Sequence, residues 1–210
     1  MKPRQTTAAI VGLIWLVAAG AGSALLWDYA ASPGAPARAS TRWPAESVIR
    51  RAPGRPTLVM TAHPHCPCTR ASIGELAILM THFQGRLRAH VLFLRPAGFS
   101  EEWVKTDLWR SASATPGVNV YRDDGGLEAR RFGAATSSQA FLYDAEGRLL
   151  FSGGITGARG HSGDNAGRSA IASLLTKPTP EPTQIFVFGC ALFGAHTECE
   201  EGAPGCRNAK

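Results

Sequence analysis

The chain has 210 residues, of which 44% are hydrophobic and 18% are charged, a balance typical of a globular domain with appendages and unlike that of disordered or collagen-like chains. The formal net charge is +6, but the basic residues are scattered and are not interleaved with aromatic residues as in RNA-binding proteins. This pattern argues against nucleic-acid binding and is compatible with a protein that works near an anionic membrane.

The N-terminal segment is typical of a membrane anchor. Residues 1–7 carry Lys2 and Arg4, and residues 8–27 then contain no charged side chain, which is about the length that a helix needs to cross a bilayer. Because basic flanks favour the cytoplasmic side, we expect residues 1–7 in the cytoplasm and the remaining chain outside it, in the periplasm of a bacterium. Cleavage as a signal peptide is the alternative, because residues 35–37 form a small-residue pattern.

Three further segments follow the predicted transmembrane anchor. Residues 28–56 form a linker rich in proline and arginine, a composition that favours a stiff, extended tether. The folded domain is expected over residues 57–176. Residues 177–210 form a C-terminal extension that contains an apolar run at 185–188 and three cysteines.

The hydrophobic pattern of the folded domain predicts alternating strands and helices. The predicted strands are residues 57–63, 87–94, 118–121, 139–143 and 148–152. The predicted helices are residues 68–83, 100–112, a brief helix that ends at 132, and 167–176. This order predicts an α/β fold whose mixed sheet is flanked by helices and includes a hairpin with its turn at residues 144–147.

Cys66 and Cys68 lie where the first predicted strand meets the first predicted helix. Proline suits the first position of a helix, so Pro67 makes Cys66 the N-cap and holds it outside helical geometry. A helix N-terminus stabilises a thiolate, because its free N–H groups and its positive potential both favour negative charge. We therefore predict Cys66 as the nucleophile and Cys68 as the resolving thiol of a short, easily reduced disulfide.

The other three cysteines lie in the C-terminal extension. An odd number of cysteines leaves at least one thiol unpaired unless two chains cross-link. We expect Cys199 and Cys206 to pair with each other or to cross-link. Cys190 is expected to act as a third thiol at the redox site, to be a buried cysteine, or to pair with Cys199 or Cys206.

Three histidines are candidates for the same site. His65 precedes Cys66 and is predicted as a catalytic residue, and a protonated imidazole at His63 or His65 would lower the pKa of Cys66 further. His161 lies in a glycine-rich loop and is a candidate base or metal ligand. The alternative is that these are loop histidines and that Asp164 or Asn165 caps the helix after the glycine-rich loop.

The strand followed by a cysteine-bearing helix start resembles the thioredoxin superfamily. FGAATSSQAFLYDAEGRLLFSGG, at residues 132–154, is similar to the region of the membrane-anchored TlpA and ResA type that leads into the terminal hairpin. HPHCPCTRASIGEL, GGITGARGHSGDNAG and VFGC resemble RedB-type thioredoxin-like proteins. The resemblance implies a thioredoxin-like fold, exchange with exported protein thiols or disulfides, and no cofactor.

The sequence departs from the usual thioredoxin pattern at three places. The motif is Cys-Pro-Cys where the family has Cys-x-x-Cys, and the preceding residue is His65 where the family often has tryptophan. The position of the usual cis-proline falls on Ser138, which cannot adopt a cis bond at low cost but could offer a hydroxyl near the sulfurs.

These features together predict a membrane-anchored thiol-disulfide oxidoreductase. One alternative is a copper(I)-binding or metal-delivery protein, with Cys66, Cys68, His63 and His161 as candidate soft ligands. Another alternative is a thioredoxin-like binding domain without catalytic activity.

Overall fold

The computed structural model describes residues 3–194 of the chain. The chain divides into two compact units between Ser32 and Pro33. The first unit is helix α1, Pro3–Ala31. Within it, Ile10–Ala31 is long enough and apolar enough to span a membrane, with a mean hydropathy of 2.0. The predicted N-terminal apolar helix is therefore present, and it continues beyond residue 27.

The second unit is built on one six-stranded mixed sheet. Its strands are β1 Thr57–Ala62, β2 Arg88–Arg95, β3 Val118–Asp124, β4 Gln139–Tyr143, β5 Leu149–Gly154 and β6 Thr183–Gln184. The strand order is β3-β2-β1-β4-β5-β6. Strands β1, β2 and β3 are parallel to one another, β4 is antiparallel to both β1 and β5, and β6 is parallel to β5. This is the mixed α/β sheet that the sequence predicts, with β6 added at one edge.

Helices cover both faces of the sheet. They are α2 Pro67–His82, α3 Glu101–Val104, α4 Asp107–Ala114, α5 Leu127–Arg131 and α6 Ala166–Thr176. Side chains alternate between the faces of a strand, so Leu58 and Met60 pack into one apolar cluster and Val59 packs into the other. The central strands are buried on both sides, which explains why their sequences are continuous apolar runs.

The single helix predicted over residues 100–112 is wrong, because the chain forms α3 and α4 in its place. Ser100 caps α3 as predicted, and its side chain accepts a hydrogen bond from the Trp103 N–H. Helix α3 ends at Val104, with Lys105 as its C-cap, and the Thr106 hydroxyl donates to the carbonyl of Pro64, at 3.2 Å. A contact with a distant loop, which the helical pattern does not encode, accompanies the break.

The proline-rich segment from Pro33 onward packs on the sheet. Trp43 lies edge-on to Phe132 and Tyr143, at centroid distances of 5.0 and 5.3 Å, and Ile49 is fully buried. These apolar side chains anchor an extended segment whose remaining composition is typical of a linker.

Residues 185–192, named here the strap, continue from β6 along the edge of the sheet. The Ile185 N–H donates to the carbonyl of Ser152, at 3.1 Å, and the Gly154 N–H donates to the carbonyl of Phe186, at 3.2 Å. Glycine at 153 and 154 permits this approach, because a Cβ there would lie 2.5 Å from the oxygen of Ile185 and 2.9 Å from that of Phe186, respectively. The strap then runs from β5 toward the start of α2.

Candidate redox site

The Cys66-Pro67-Cys68 motif forms the start of α2, as predicted. Cys66 is the N-cap, with extended backbone angles of φ −96° and ψ 126°, and Pro67 follows in the first turn. The two cysteine residues are each only 2% exposed. The motif therefore lies at a helix N-terminus but beneath the surface.

The strap brings Cys190 to this helix start. The sulfur atoms of Cys66 and Cys190 are 3.0 Å apart, although the residues are 124 positions apart in sequence. Cys190 is partly exposed, unlike the two cysteines of the motif. Of the three alternatives that the sequence leaves open for Cys190, the structure matches a third thiol beside the motif. Cys199 and Cys206 lie outside the described residues, so their predicted pairing stays a prediction.

Ser137 connects the strap to the motif through three contacts. Its N–H donates to the carbonyl of Cys190, at 2.8 Å, and its hydroxyl accepts from the Cys190 N–H, at 3.1 Å. The same hydroxyl contacts the Cys66 sulfur, at 3.6 Å. An antiparallel bridge between Thr136 and Ala191 extends the pairing. The sequence around Ser137 does not indicate its role, because no local pattern shows that a serine contacts a residue 53 positions further along the chain.

Ser138 contributes its backbone rather than a sulfur contact. It has a φ of 68°, the single positive φ among the described non-glycine residues, and its N–H donates to the carbonyl of Thr61, at 2.7 Å. Its peptide bond is trans. The Ser138 hydroxyl is buried without a hydrogen-bond partner among the described residues, so the hydroxyl at the sulfurs belongs to the preceding residue.

Among the three neighbouring cysteines, negative charge is most favoured on Cys66. The pKa of Cys66 is lowered well below its usual range, first because the Cys190 thiol donates to it, and then because the Cys68 thiol does. Ser137 and the backbone N–H of Thr69 act in the same direction, although Cys66 makes no side-chain capping bond to α2. Hydrogen bonding to the other two sulfurs, and then burial, raises the pKa of Cys68. These shifts favour negative charge on Cys66 over Cys68.

The pKa of Cys190 is also raised, mainly by its hydrogen bond to Cys66. Two influences oppose this: hydrogen bonding between the Cys190 and Cys68 side chains, and the positive charge of the Arg159 guanidinium. The same guanidinium donates to the carbonyl of Gly189, at 2.6 Å, which fixes it beside the strap. Hydrogen bonding to Cys66 thus disfavours a thiolate at Cys190, whereas the nearby guanidinium favours one.

The two histidines before the motif lie beside it and contact Trp103. The rings of His63 and His65 lie 5.5 and 4.7 Å from the Trp103 ring, and His65 Nε2 is 3.0 Å from the Trp103 carbonyl oxygen. Burial lowers the pKa of His63 below 6.5, so this imidazole is neutral near pH 7. The thiolate at Cys66 is thus favoured by thiol, hydroxyl and backbone donors rather than by a charged His63.

The glycine-rich loop around His161 is held by a buried carboxylate. Glu75 of α2 accepts from the Gly163 N–H, at 2.7 Å, and pairs with Arg168 of α6. Asn165 caps α6, which is one of the two predicted caps. The exposed His161 ring contacts the carbonyl of Arg159, at 3.2 Å. These contacts fit the alternative in which His161 is a loop histidine and a neighbouring residue caps the following helix.

In the alternative function as a metal-binding protein, the candidate ligands are Cys66, Cys68, His63 and His161. The sulfurs of the three described cysteines hydrogen-bond to one another. Between residues 3 and 194, no group of three or more His, Cys, Asp or Glu side chains is arranged to hold a metal ion. The geometry in this part of the chain thus offers no observation in favour of that alternative.

No protein-family model and no curated protein matches this sequence. Among solved structures, a hypothetical protein from Sinorhizobium meliloti is 22% identical, with 77% of this chain and 93% of the other covered at a TM-score of 0.56. An uncharacterized conserved protein from Geobacillus kaustophilus is 19% identical, with 83% and 94% covered at the same TM-score. The thioredoxin domain of a thiol-disulfide oxidoreductase from Bacteroides vulgatus is 15% identical, with 69% and 98% covered and a TM-score of 0.44.

These similarities concern the fold. The mixed sheet, the flanking helices and the position of α2 directly after the central strand β1 form the α/β architecture that the sequence predicts, and the Sinorhizobium and Geobacillus proteins share this fold.

Proposed function

We propose that this protein is a membrane-anchored thiol-disulfide oxidoreductase in which Cys66 is the reactive thiolate. The observation that carries this proposal is the position of the Cys66 sulfur. It lies at the N-cap of α2, 3.0 Å from one thiol and 3.6 Å from a hydroxyl, and its surroundings lower its pKa. A thiolate is the species that attacks a disulfide, and a low thiol pKa also makes Cys66 a good leaving group.

The exchange reaction conserves atoms and electrons. The Cys66 thiolate attacks one sulfur of a partner disulfide, which forms a mixed disulfide and releases the other partner sulfur as a thiolate. A second cysteine of this chain then attacks the Cys66 sulfur, so that a disulfide forms within the chain and the partner leaves as a dithiol. The reverse sequence oxidises a partner dithiol. Exported proteins with exposed thiols or disulfides are the partners that this chemistry fits.

The test measures exchange by the full-length protein in detergent with a fluorescent peptide disulfide. We expect the wild-type chain to reduce the probe, and we expect Cys66→Ser to fall to the rate of the uncatalysed reaction. A double variant, Cys199→Ser with Cys206→Ser, controls for the removal of cysteines elsewhere in the chain. Equal rates for wild type and Cys66→Ser would overturn the proposal.

The proposed anchor is α1. Its apolar stretch is long enough to span a bilayer, and Lys2 and Arg4 favour a cytoplasmic N-terminus. A phosphatase reporter that is active only outside the cytoplasm, fused after Lys210, should be active. Activity of a cytoplasm-specific reporter at the same position would contradict the proposed topology.

A further inference from the structure

We propose that Cys190, carried on the strap, is the resolving thiol of this site, and that Cys68 stays a thiol throughout the exchange. This inference rests on the proposed function, since it assigns the second step of the same reaction. The disulfide that forms within the chain is then Cys66–Cys190, and not the Cys66–Cys68 ring that the sequence predicts.

The placement of the sulfurs favours Cys190 over Cys68 as the resolving thiol. Cys190 lies 3.0 Å from Cys66 across a contact between separate segments of the chain, so a disulfide there does not depend on the geometry of one helical turn. Cys68 is two residues from Cys66 and lies inside α2. A disulfide between such close neighbours closes a short ring and is strained, because disulfides need specific Cα and Cβ separations.

The charge on the Cys66 sulfur changes during the exchange, and this change alters the pKa of Cys190. While Cys66 is a thiolate, the hydrogen bond to it raises the pKa of Cys190. When Cys66 enters a mixed disulfide, this thiolate acceptor is lost, and the Arg159 guanidinium and the Cys68 donor remain to favour a Cys190 thiolate. Cys190 thus becomes nucleophilic when an attack on Cys66 is required. Burial continues to raise the pKa of Cys68, which keeps that group protonated and able to donate.

Access to the Cys66 sulfur involves the strap as well. Cys66 is 2% exposed and its sulfur is in contact with Cys190, so displacement of the strap would open it to a partner disulfide and return of the strap would bring Cys190 back. Ser137 guides that return, because it bonds both the N–H and the carbonyl of Cys190. A cavity of about 490 Å³ lies between residues 33–37 and the first half of the strap, and the Phe186 ring is exposed. The strap is therefore held along its edges and is not packed on every side.

The Cys190 thiolate attacks the Cys66 sulfur of the mixed disulfide, the Cys66–Cys190 bond forms, and the bond between Cys66 and the partner breaks. The partner sulfur leaves as a thiolate and accepts the proton that Cys190 gave up. Two thiols of this chain are oxidised, and one partner disulfide is reduced to two thiols.

The experiment uses the full-length chain with Cys199→Ser and Cys206→Ser, which leaves three cysteines. The reduced protein is mixed with oxidised glutathione, quenched in acid, alkylated and mapped by mass spectrometry after trypsin digestion. No lysine or arginine separates residues 66 and 68, so a 66–68 disulfide stays within one peptide, whereas a 66–190 disulfide joins two. We expect the joined peptides in this parent chain and also after Cys68→Ser, since a serine hydroxyl can still donate a hydrogen bond.

Cys190→Ser should accumulate glutathione on Cys66 by at least about tenfold over Cys68→Ser, because the attacking thiol has gone. The inference is overturned if the parent forms the 66–68 disulfide and if Cys68→Ser is the variant that accumulates the mixed disulfide. Failure of Cys66 to form any disulfide in any of these chains would contradict the proposed function itself, which separates the two results.

Discussion

The start of α2 and the strap supply the same kind of group, a cysteine thiol, but they do so in different ways. The helix start positions Cys66 through its immediate neighbours, since Pro67 sets the cap and the Thr69 backbone helps to lower the pKa of Cys66. The strap positions Cys190 through contacts with residues more than 50 positions away. Local sequence thus defines the position of the Cys66 sulfur, whereas tertiary structure brings the Cys190 sulfur to it.

The largest expected difference between the two regions is in catalysis. Cys66→Ser should slow exchange with a peptide disulfide by about a thousandfold or more, because a hydroxyl is a poor nucleophile at neutral pH. Cys190→Ser keeps the thiolate and should still form the first mixed disulfide. Stopped-flow measurement of the first step checks this, and equal loss of that step in both variants would remove the distinction between the regions.

The second prediction concerns a substitution in the strap that keeps every cysteine. A Cβ at Gly189 would overlap the carbonyl oxygen of Ser137, so Gly189→Ala should push Cys190 away from Cys66. We expect the Cys66–Cys190 disulfide to form more slowly by about tenfold or more, since small misplacements of reacting groups cost that much.

Gly157→Ala is the matched control for the strap variant. The same substitution at that exposed position meets no atom within 4 Å, so the rate of disulfide formation should not change. If Gly189→Ala forms the Cys66–Cys190 disulfide as fast as Gly157→Ala, the strap does not position Cys190.

Much of this fold follows from the sequence, because the strands and helices of the domain carry strong local patterns. The buried strand before Cys66, the proline at the helix start and the alternation of strands and helices locate one sulfur and its helix. They do not locate Ser137, whose role depends on the Cys190 backbone. Nor do they show that the strap continues from β6, since a two-residue strand leaves almost no pattern.

The local sequence pattern does not predict the break between α3 and α4, for a related reason. Apolar and capping residues over 100–112 favour one helix, whereas the bond from Thr106 to Pro64 ties that region to the loop before the motif. The same loop carries His65, so the irregular segment lies beside the candidate site. Local propensity fails where the chain makes long-range polar contacts.

The third prediction concerns Ser137, the residue that contacts both regions. Ser137→Ala removes a hydroxyl from Cys66 and an acceptor from Cys190, so the pKa of Cys66 should rise. Below the titration midpoint, the thiolate population should fall by roughly fivefold, which corresponds to ~1 kcal/mol for one such hydrogen bond. Thiolate absorbance at 240 nm measures the effect.

Ser138→Ala is the neighbouring control for Ser137→Ala. Its hydroxyl is buried without a hydrogen-bond partner in the described part of the chain, so the Cys66 titration should be unchanged. A larger effect at Ser138 than at Ser137 would contradict the assignment of the sulfur contact.

The smallest effect is expected at His63. Burial lowers the pKa of this imidazole below 6.5, so near pH 7 it carries no charge that could stabilise the thiolate. His63→Asn should therefore change the thiolate population at pH 7 by less than about twofold. A large loss of thiolate absorbance at 240 nm in this variant would contradict the prediction. It would show that a charged His63 imidazole stabilises the Cys66 thiolate.

The most direct test of the central claim is the pH titration of thiolate absorbance in the reduced full-length chain. The account predicts one thiolate that persists well below the ordinary cysteine midpoint of about 8.5. This low-pH thiolate should be absent from Cys66→Ser and present in Cys68→Ser. A wild-type midpoint near the ordinary value, or a low midpoint that survives Cys66→Ser, would contradict the assignment of Cys66 as the activated thiol.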